Sequence, residues 1–449
     1  MYTIIDCYTD EPSGLGVPPY LGTFPRYIYG ALKTEGITPA YLTIDDIRLW
    51  KRHDSKAPNK EKETKTNTKI YNLTKNYEKV EQILKNTETL IIIAGINVPG
   101  KYLSAVPGTL YEITSYIKDL KCRKILTGPA AIAGSRTEGG KMPEHYQKEI
   151  FDEINFNYKN INNYKEIKAK EGAEITKQIP WEIMAEIETG RGCDIGRCSF
   201  CTEPMKSKVQ FRETDKVIEE MKELSKNGVE HFRFGKQTCF YSYQYGNIEE
   251  IEKLLKEASK LKPKTLHIDN ANPNKVVGKN GKEITELITK YCTSGNVVAF
   301  GIESFDIEVV KKNYLNTAPA IAHKAIRIIN EYGKEHGENG MPKLLPGINV
   351  IFGLMNESKK THEENMKALK KIMEEGLLLR RINIRQVVPY EGTKLYDEAG
   401  NKFIKKNKRH YWRWRNDIRQ EIDFPMLKRL VPEGTIISDV RMEIYDGNT

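Results

Sequence analysis

"ETGRGCDIGRCSFCTEP", residues 188–204, places three of the chain's seven cysteines on one glycine-flanked stretch. Cys193, Cys198 and Cys201 stand in the order C-x4-C-x2-C, and Gly190, Gly192 and Gly196 let the backbone curl back around them. A strand-like run, "EIMAEIET", leads into the stretch, and a helical run, "TDKVIEEMKELSKNG", follows it. This is a βα junction at the carboxyl end of a strand, where α/β folds place their ligands. A zinc ion there would want a fourth ligand. No second C-x2-C and no nearby histidine supplies one, because His231 and His267 lie far along the chain. A 4Fe-4S cluster tolerates the shortfall, since three cysteines hold three irons and the fourth iron keeps an open position. Thiols that bind nothing are the remaining reading.

The pattern around the stretch repeats. "EHFRFG", "KTLHIDN", "NVVAFGIES", "PGINVIFGL" and "RINIRQVVPY" read as strands, separated by helical runs such as "IEEIEKLLKEASKL" and "THEENMKALKKIMEEG". About six βα units over roughly 215 residues are too few for a closed eight-stranded barrel, so residues 181–396 are expected to form a partial one. Residues 1–140 also alternate. "YTIIDCYT", "PAYLTIDDI", "TLIIIAGI" and "KILTGPAAIAG" read as strands, with helices at "FPRYIYGALKTEG", "NYEKVEQILKN" and "LYEITSYIKDL". They imply a Rossmann-like, doubly wound α/β domain. Pro18 and Pro19 mark a turn, and "KRHDSKAPNKEKETKTNT" (51–68) reads as a solvated loop. Residues 141–180 are polar and read as a connector. Residues 397–449 form a basic extension, with "ISDVRMEI" as a last strand that must add to an existing sheet or belong to a small β domain.

The 449 residues exceed one typical domain, and 39% apolar content suffices for real cores. No apolar run approaches the roughly 20 residues that span a bilayer, so no membrane partner is expected. The start, "MYTIIDCYTDEPSGLG", lacks the layout of a signal peptide, which points to a cytoplasmic protein with reduced thiols. Cys7, Cys122, Cys239 and Cys292 are isolated in sequence, so a disulfide framework is not expected. The net charge of +10 permits nucleic acid as a partner without requiring it.

The cysteine loop resembles that of the radical S-adenosylmethionine enzymes, with Phe200 in the place of the aromatic before the last cysteine. The family's usual spacing is C-x3-C-x2-C, and Gly196 can absorb the extra residue. The resemblance runs on through the barrel. "FGKQTCF", with Gly235, sits where the family's backbone meets the methionine amino group, although the usual acid is missing. "GIES" places Glu303 and Ser304 where a polar residue contacts ribose, and "GINVIFGLMNES" places Gly353 near the adenine. "RQVVPYEGTKLY" resembles the closing strand. The resemblance implies a 4Fe-4S cluster on Cys193, Cys198 and Cys201, with S-adenosylmethionine on the fourth iron. Reductive cleavage would then give a 5′-deoxyadenosyl radical, with an electron donor such as ferredoxin or flavodoxin as partner.

The first domain resembles the cobalamin-binding module that precedes the barrel in one subclass, with Gly16, Pro18, Gly95 and Gly128 as candidate contacts. The Asp-x-His-x-x-Gly motif is absent, so no histidine from it would coordinate the cobalt. The implied activity is a cobalamin-dependent methyltransferase acting on an unreactive carbon of a protein, RNA or small molecule. A tRNA methylthiotransferase-like enzyme is a rival, although only Cys7 and Cys122 precede the barrel. A non-enzymatic zinc- and RNA-binding protein is another. The tail carries eight Lys/Arg between Lys402 and Arg419 and could contact RNA through Trp412 or Trp414. The plainer reading is an amphipathic helix with Tyr411, Trp414 and Ile418 on its packed face.

Overall fold

The computed structural model describes residues 1–9, 17–56, 71–95, 105–136, 138–159, 165–438 and 440. Strands β1 (Tyr2–Asp6), β2 (Tyr20–Leu21), β3 (Ala40–Thr43), β4 (Thr89–Ile93), β5 (Arg123–Thr127) and β6 (Glu153–Ile154) come from the first part of the chain. Five of them form one parallel sheet in the order β3-β1-β4-β5-β6. Its central strands, "YTIID" and "TLIII", are apolar almost throughout because helices cover both faces.

Several boundaries differ from the sequence reading. "IDD" does not continue a strand. Thr43 and Asp46 form a reciprocal capping box, and the helix Ile44–His53 starts there. In "KILTGPAAIAG" the strand stops at Thr127, and Ala130–Ala133 turns into a short helix. The stretch read as a connector supplies β6 and the helix Lys165–Glu171. That helix crosses the helix Thr23–Thr34 so closely that a Cβ on Gly30 would stand 2.0 Å from the Lys168 carbonyl oxygen. Only glycine fits such a crossing.

The second part contributes β7 (Met184–Glu188), β8 (Gly190–Arg191), β9 (Gln210–Phe211), β10 (His231–Gly235), β11 (Thr265–Ile268), β12 (Asn270–Ala271), β13 (Asn296–Glu303), β14 (Leu344–Phe352) and β15 (Arg381–Gln386). They pair as β11-β10-β7-β2 and β12-β13-β14-β15, all parallel, with β8 and β9 as a separate antiparallel pair. Asp269 alone separates β11 from β12, and its carbonyl accepts the Ala299 N–H at 3.0 Å. The result is an open, TIM-like α/β layer. The edge strand β2 adds a second difference. The segment after Pro18 and Pro19 runs parallel to β7, with Tyr20 opposite Met184, and joins the first part of the chain to the barrel.

The tail folds as the helix Lys402–Ile418, a π turn (Arg419–Asp423) and the helix Phe424–Leu430. Ile404, Asn407, Tyr411, Trp414 and Ile418 form its buried stripe, as the packed-face reading expects. Trp414 is 1% exposed and stacks between His362 and His410, so it cannot stack on a base. Ile437, Ser438 and Val440 lie in no strand, and the rest of "ISDVRMEI" lies outside the described residues, as do Gly16 and most of the loop at 51–68.

Candidate active site

Strand β7 ends at Glu188, and β8 and β9 pair two residues later. That pair closes the base of an excursion, 192–209, which carries all three clustered thiols. Gly196, at φ +56°, takes up the additional residue between Cys193 and Cys198. Each sulfur accepts a backbone N–H. Gly196 donates to Cys193 Sγ and Glu203 to Cys201 Sγ, both at 3.4 Å, and Asn316 donates to Cys198. Such N–H groups orient and stabilise metal-bound thiolates. Burial, then the nearby Cys201, Glu303 and Cys193, pushes the Cys198 thiol up to about 12. Burial also raises Cys201. A cation or iron core set among these sulfurs would reverse that penalty. Among the described residues, no three His, Cys, Asp or Glu side chains converge on one point as a single metal ion requires. Three thiols on one loop, each accepting a backbone N–H, are the donor chemistry that an iron–sulfur cluster takes. His231 bonds Thr265 Oγ1 at 2.8 Å, at the opposite end of β10, and does not complete a zinc site.

The loop is held from behind. Ser199, between the second and third cysteines, donates its hydroxyl to Asn313 Oδ1 at 2.8 Å, and its carbonyl accepts the Leu395 N–H at 2.7 Å. Cys198 and Phe200 pack with Phe403 against an apolar cluster that includes Leu354, Val387, Leu395 and Ile404.

The remaining barrel candidates sit at strand ends with different surroundings. Glu303 has φ +66° at a register shift in β13, an uncommon conformation for a non-glycine residue. Its Oε2 is buried without a hydrogen-bond partner, and burial raises the carboxyl to about 8 despite Arg385. Ser304 is 1% exposed and its hydroxyl accepts the Asp306 N–H at 3.1 Å, so it shapes the turn into the next helix. Gly235 lies against the Glu186 side chain, which a Cβ would meet at 2.7 Å. Gly353 donates its N–H to Glu357 Oε2 at 2.7 Å and abuts Ile404.

In the first sheet, Gly95 approaches the Thr9 backbone and Gly128 the Ala94 carbonyl, so both are packed against the chain itself. Pro18 is buried beside β2. The exposed wall is built by neighbours instead. A cleft of about 210 Å³ has Thr23, Phe24, Pro129, Phe156 and Asn157 on one side. Facing them are Glu186, Glu188, Arg191, Lys236, Gln237 and Asp269 at the barrel mouth, with Glu203 and Lys206 just beyond the last cysteine. The carboxyl ends of the two sheets therefore look into one space. Asp6, at the end of β1, is raised to about 6 by burial, against the hydrogen bonds from Tyr8 and Tyr41 and the charge of Lys236.

Sequence reasoning missed most of this mouth. Arg233 stands opposite Glu186 in register and bonds it at 3.0 Å, with Asp269 at 3.3 Å on the other side. Arg191 grips both Glu188 oxygens at 2.6 and 2.8 Å. Both amide atoms of Gln237 are buried without a partner. The available signal was two carboxylates, two residues apart, inside the otherwise apolar strand "MAEIE".

Residues 187–350 match the profile of the Radical SAM superfamily. An uncharacterized protein of Methanocaldococcus jannaschii is 41% identical over 99% of this chain and 84% of its own. One from Archaeoglobus fulgidus is 40% identical over 98% of this chain and 81% of its own. Among solved structures, the radical S-adenosylmethionine methyltransferase TsrM from Kitasatospora setae, with cobalamin and a 4Fe-4S cluster bound, superposes with a TM-score of 0.51 at 12% identity. That match spans 88% of this chain and 73% of TsrM. The cobalamin-dependent S-adenosylmethionine radical enzyme OxsB gives 0.50 at 13% identity, over 90% of this chain and 56% of OxsB. At such identities the likeness is one of fold, across both α/β layers. With the matched profile covering the cysteine loop and the strands that follow it, the chain belongs to the radical S-adenosylmethionine superfamily.

Proposed function

We propose that the protein is a cobalamin-dependent radical S-adenosylmethionine methyltransferase acting on an unreactive carbon. The observation that carries the reading is the single cleft shared by two parallel sheets, with the cysteine loop at its barrel side. Two cofactors that must meet one substrate atom need such an arrangement. Cys193, Cys198 and Cys201 would hold a 4Fe-4S cluster, which supplies the electron that cleaves S-adenosylmethionine to methionine and a 5′-deoxyadenosyl radical. The buried amide of Gln237 and the buried Oε2 of Glu303 offer polar atoms to the nucleotide, and each lacks a partner within the protein. On the other side, Phe24 and Phe156 meet edge to face at 5.9 Å and, with Thr23, Pro129 and Asn157, give a largely apolar wall with amide and hydroxyl groups for a corrin. Among the described residues that line the cleft there is no histidine.

A second cluster of the methylthiotransferase kind finds no support, because only Cys7 and Cys122 precede the barrel and Cys7 is fully buried.

Anaerobic reconstitution with iron and sulfide tests the first part. About four irons per chain and a broad visible charge-transfer band are expected, with both lost in Cys198→Ala. Stoichiometric zinc without the band would overturn it. Purification in the presence of hydroxocobalamin tests the second part, and a chain free of corrin would refute it. Mass analysis of proteins, RNA and metabolites from a strain lacking the protein identifies the methyl acceptor.

A further inference from the structure

We infer that the cationic face of the helix Lys402–Ile418 is the docking surface for a small acidic one-electron donor protein. This rests on the reading of the three cysteines as cluster ligands.

The helix carries Lys402, Lys405, Lys406, Lys408, Arg409, Arg413 and Arg415, and has no acidic residue before Asp417. All but Arg415 are exposed. Among the described residues, Lys405, Lys408, Arg409 and Arg413 form no ion pair, whereas lysines on other helices are commonly paired at i+3 or i+4. A surface that leaves so many like charges unneutralised sets up a field that steers an oppositely charged partner. Trp412 stands 61% exposed amid these charges, with the Arg415 guanidinium 5.4 Å from its ring centroid. An exposed aromatic among cations has the make-up of an interface anchor.

Position decides which partner. Phe403 and Ile404, in the first turn of this helix, belong to the same apolar cluster as Cys198 and Phe200. The chain leading into it is bonded to the loop through the Leu395 N–H and the Ser199 carbonyl. The first turn of the cationic helix therefore packs on the same apolar cluster as the second cysteine. Electron tunnelling weakens exponentially with distance, so a donor must dock near the cluster. Docking here also leaves the cleft free, because no residue of 402–418 lines it. An RNA substrate held on the same face would gain no path to the cleft from these residues. The transfer is simple in balance. The donor loses one electron, the cluster gains it, and no proton or group moves.

The test compares reconstituted holoenzyme with the triple variant Lys405→Glu, Lys408→Glu, Arg409→Glu. Iron content is measured first. A parent chain that takes up no iron would remove the proposed function itself, and the donor surface with it. With iron present, cluster reduction is followed by stopped-flow absorbance, using a reduced two-cluster ferredoxin or titanium(III) citrate. The variant should be reduced by ferredoxin at least about tenfold more slowly, with a weaker salt dependence, and by titanium citrate at the parent rate. An unchanged ferredoxin rate would overturn the inference, and so would an equal loss with both reductants. Loss of retention on RNA with the ferredoxin rate intact would reassign the face to nucleic acid.

Discussion

The hydroxyl of Ser199 donates to the side-chain oxygen of Asn313 at 2.8 Å, fixing the middle of the cysteine loop to a helix end more than a hundred residues away. Asn313 is fully buried. Its amide donates to the Val309 and Met355 carbonyls, both at 2.9 Å, and its oxygen also accepts the Met355 N–H at 3.1 Å. One side chain therefore ties the loop to the ends of two later βα units.

Replacing Asn313 with alanine should cost about 2–4 kcal/mol, because several buried backbone groups lose their partner together. Iron retained per chain after reconstitution should fall with it. Urea denaturation and iron analysis check both effects. A variant with parent stability and parent iron content would show that the loop is held by other contacts.

Glu220 is fully buried between two arginines. Arg26 comes from the first part of the chain and also reaches the Glu186 carbonyl; Arg212 bonds Glu220 at 2.5 Å and the Glu188 carbonyl at 2.9 Å. Burial alone would raise the Glu220 carboxyl, but the two guanidinium groups hold it below its ordinary value. Glu220→Gln should cost roughly 3–5 kcal/mol, because it leaves buried cations without a counter-charge. The triple replacement Arg26→Met, Arg212→Met, Glu220→Leu should recover much of that loss. Denaturation midpoints decide it, and a Gln variant within about 1 kcal/mol of the parent would contradict the argument.

Glu357 is 1% exposed and receives the Gly353 N–H and, at 2.9 Å, the Asn407 amide. Burial raises its carboxyl to about 7 even though those bonds pull it down. An unfolded glutamate titrates near ~4.3, so the folded chain holds the extra proton between about pH 4 and 7. The stability from this site is fully present below about pH 4 and is lost as pH rises through 7. The span corresponds to at most about 4 kcal/mol. Glu357→Gln should flatten the dependence of the unfolding midpoint on pH between 5 and 8; an unaltered slope would assign the dependence to other carboxyls, such as Asp46, also raised by burial to about 7.

Two tryptophans two residues apart should behave oppositely. Trp414 is buried against Phe352, with ring centroids 5.7 Å apart, and its loss to alanine should cost about 3–5 kcal/mol. Trp412→Ala should change stability by no more than about 0.5 kcal/mol. Thermal unfolding of both variants is sufficient, and equal losses would contradict the placement of the helix.

Much of the fold was legible because βα units announce themselves locally. "NVVAFGIES" became a strand to within one residue of its expected limits, and "TLIIIAGI" did so from Thr89 to Ile93, with Ala94 and Gly95 beyond its end. Boundaries failed where a side chain rather than periodicity ended the element, as at Thr43 and Asp46. Glycines marked close approach correctly but not what approached. Gly95, Gly128 and Gly235 meet Thr9, Ala94 and Glu186 of the same chain.

The sequence by itself determined which thiols the loop can offer to a metal, because the identity and spacing of Cys193, Cys198 and Cys201 are local facts. It also determined the two α/β layers, since hydrophobic period follows from backbone geometry. Only the tertiary structure decided what faces the cleft. The Arg233–Glu186 pair arises from parallel register between β7 and β10, and the sharing of one apolar cluster by Cys198 and Phe403 joins segments two hundred residues apart. Such contacts depend on how the chain closes on itself, and no short stretch of residues specifies that alone.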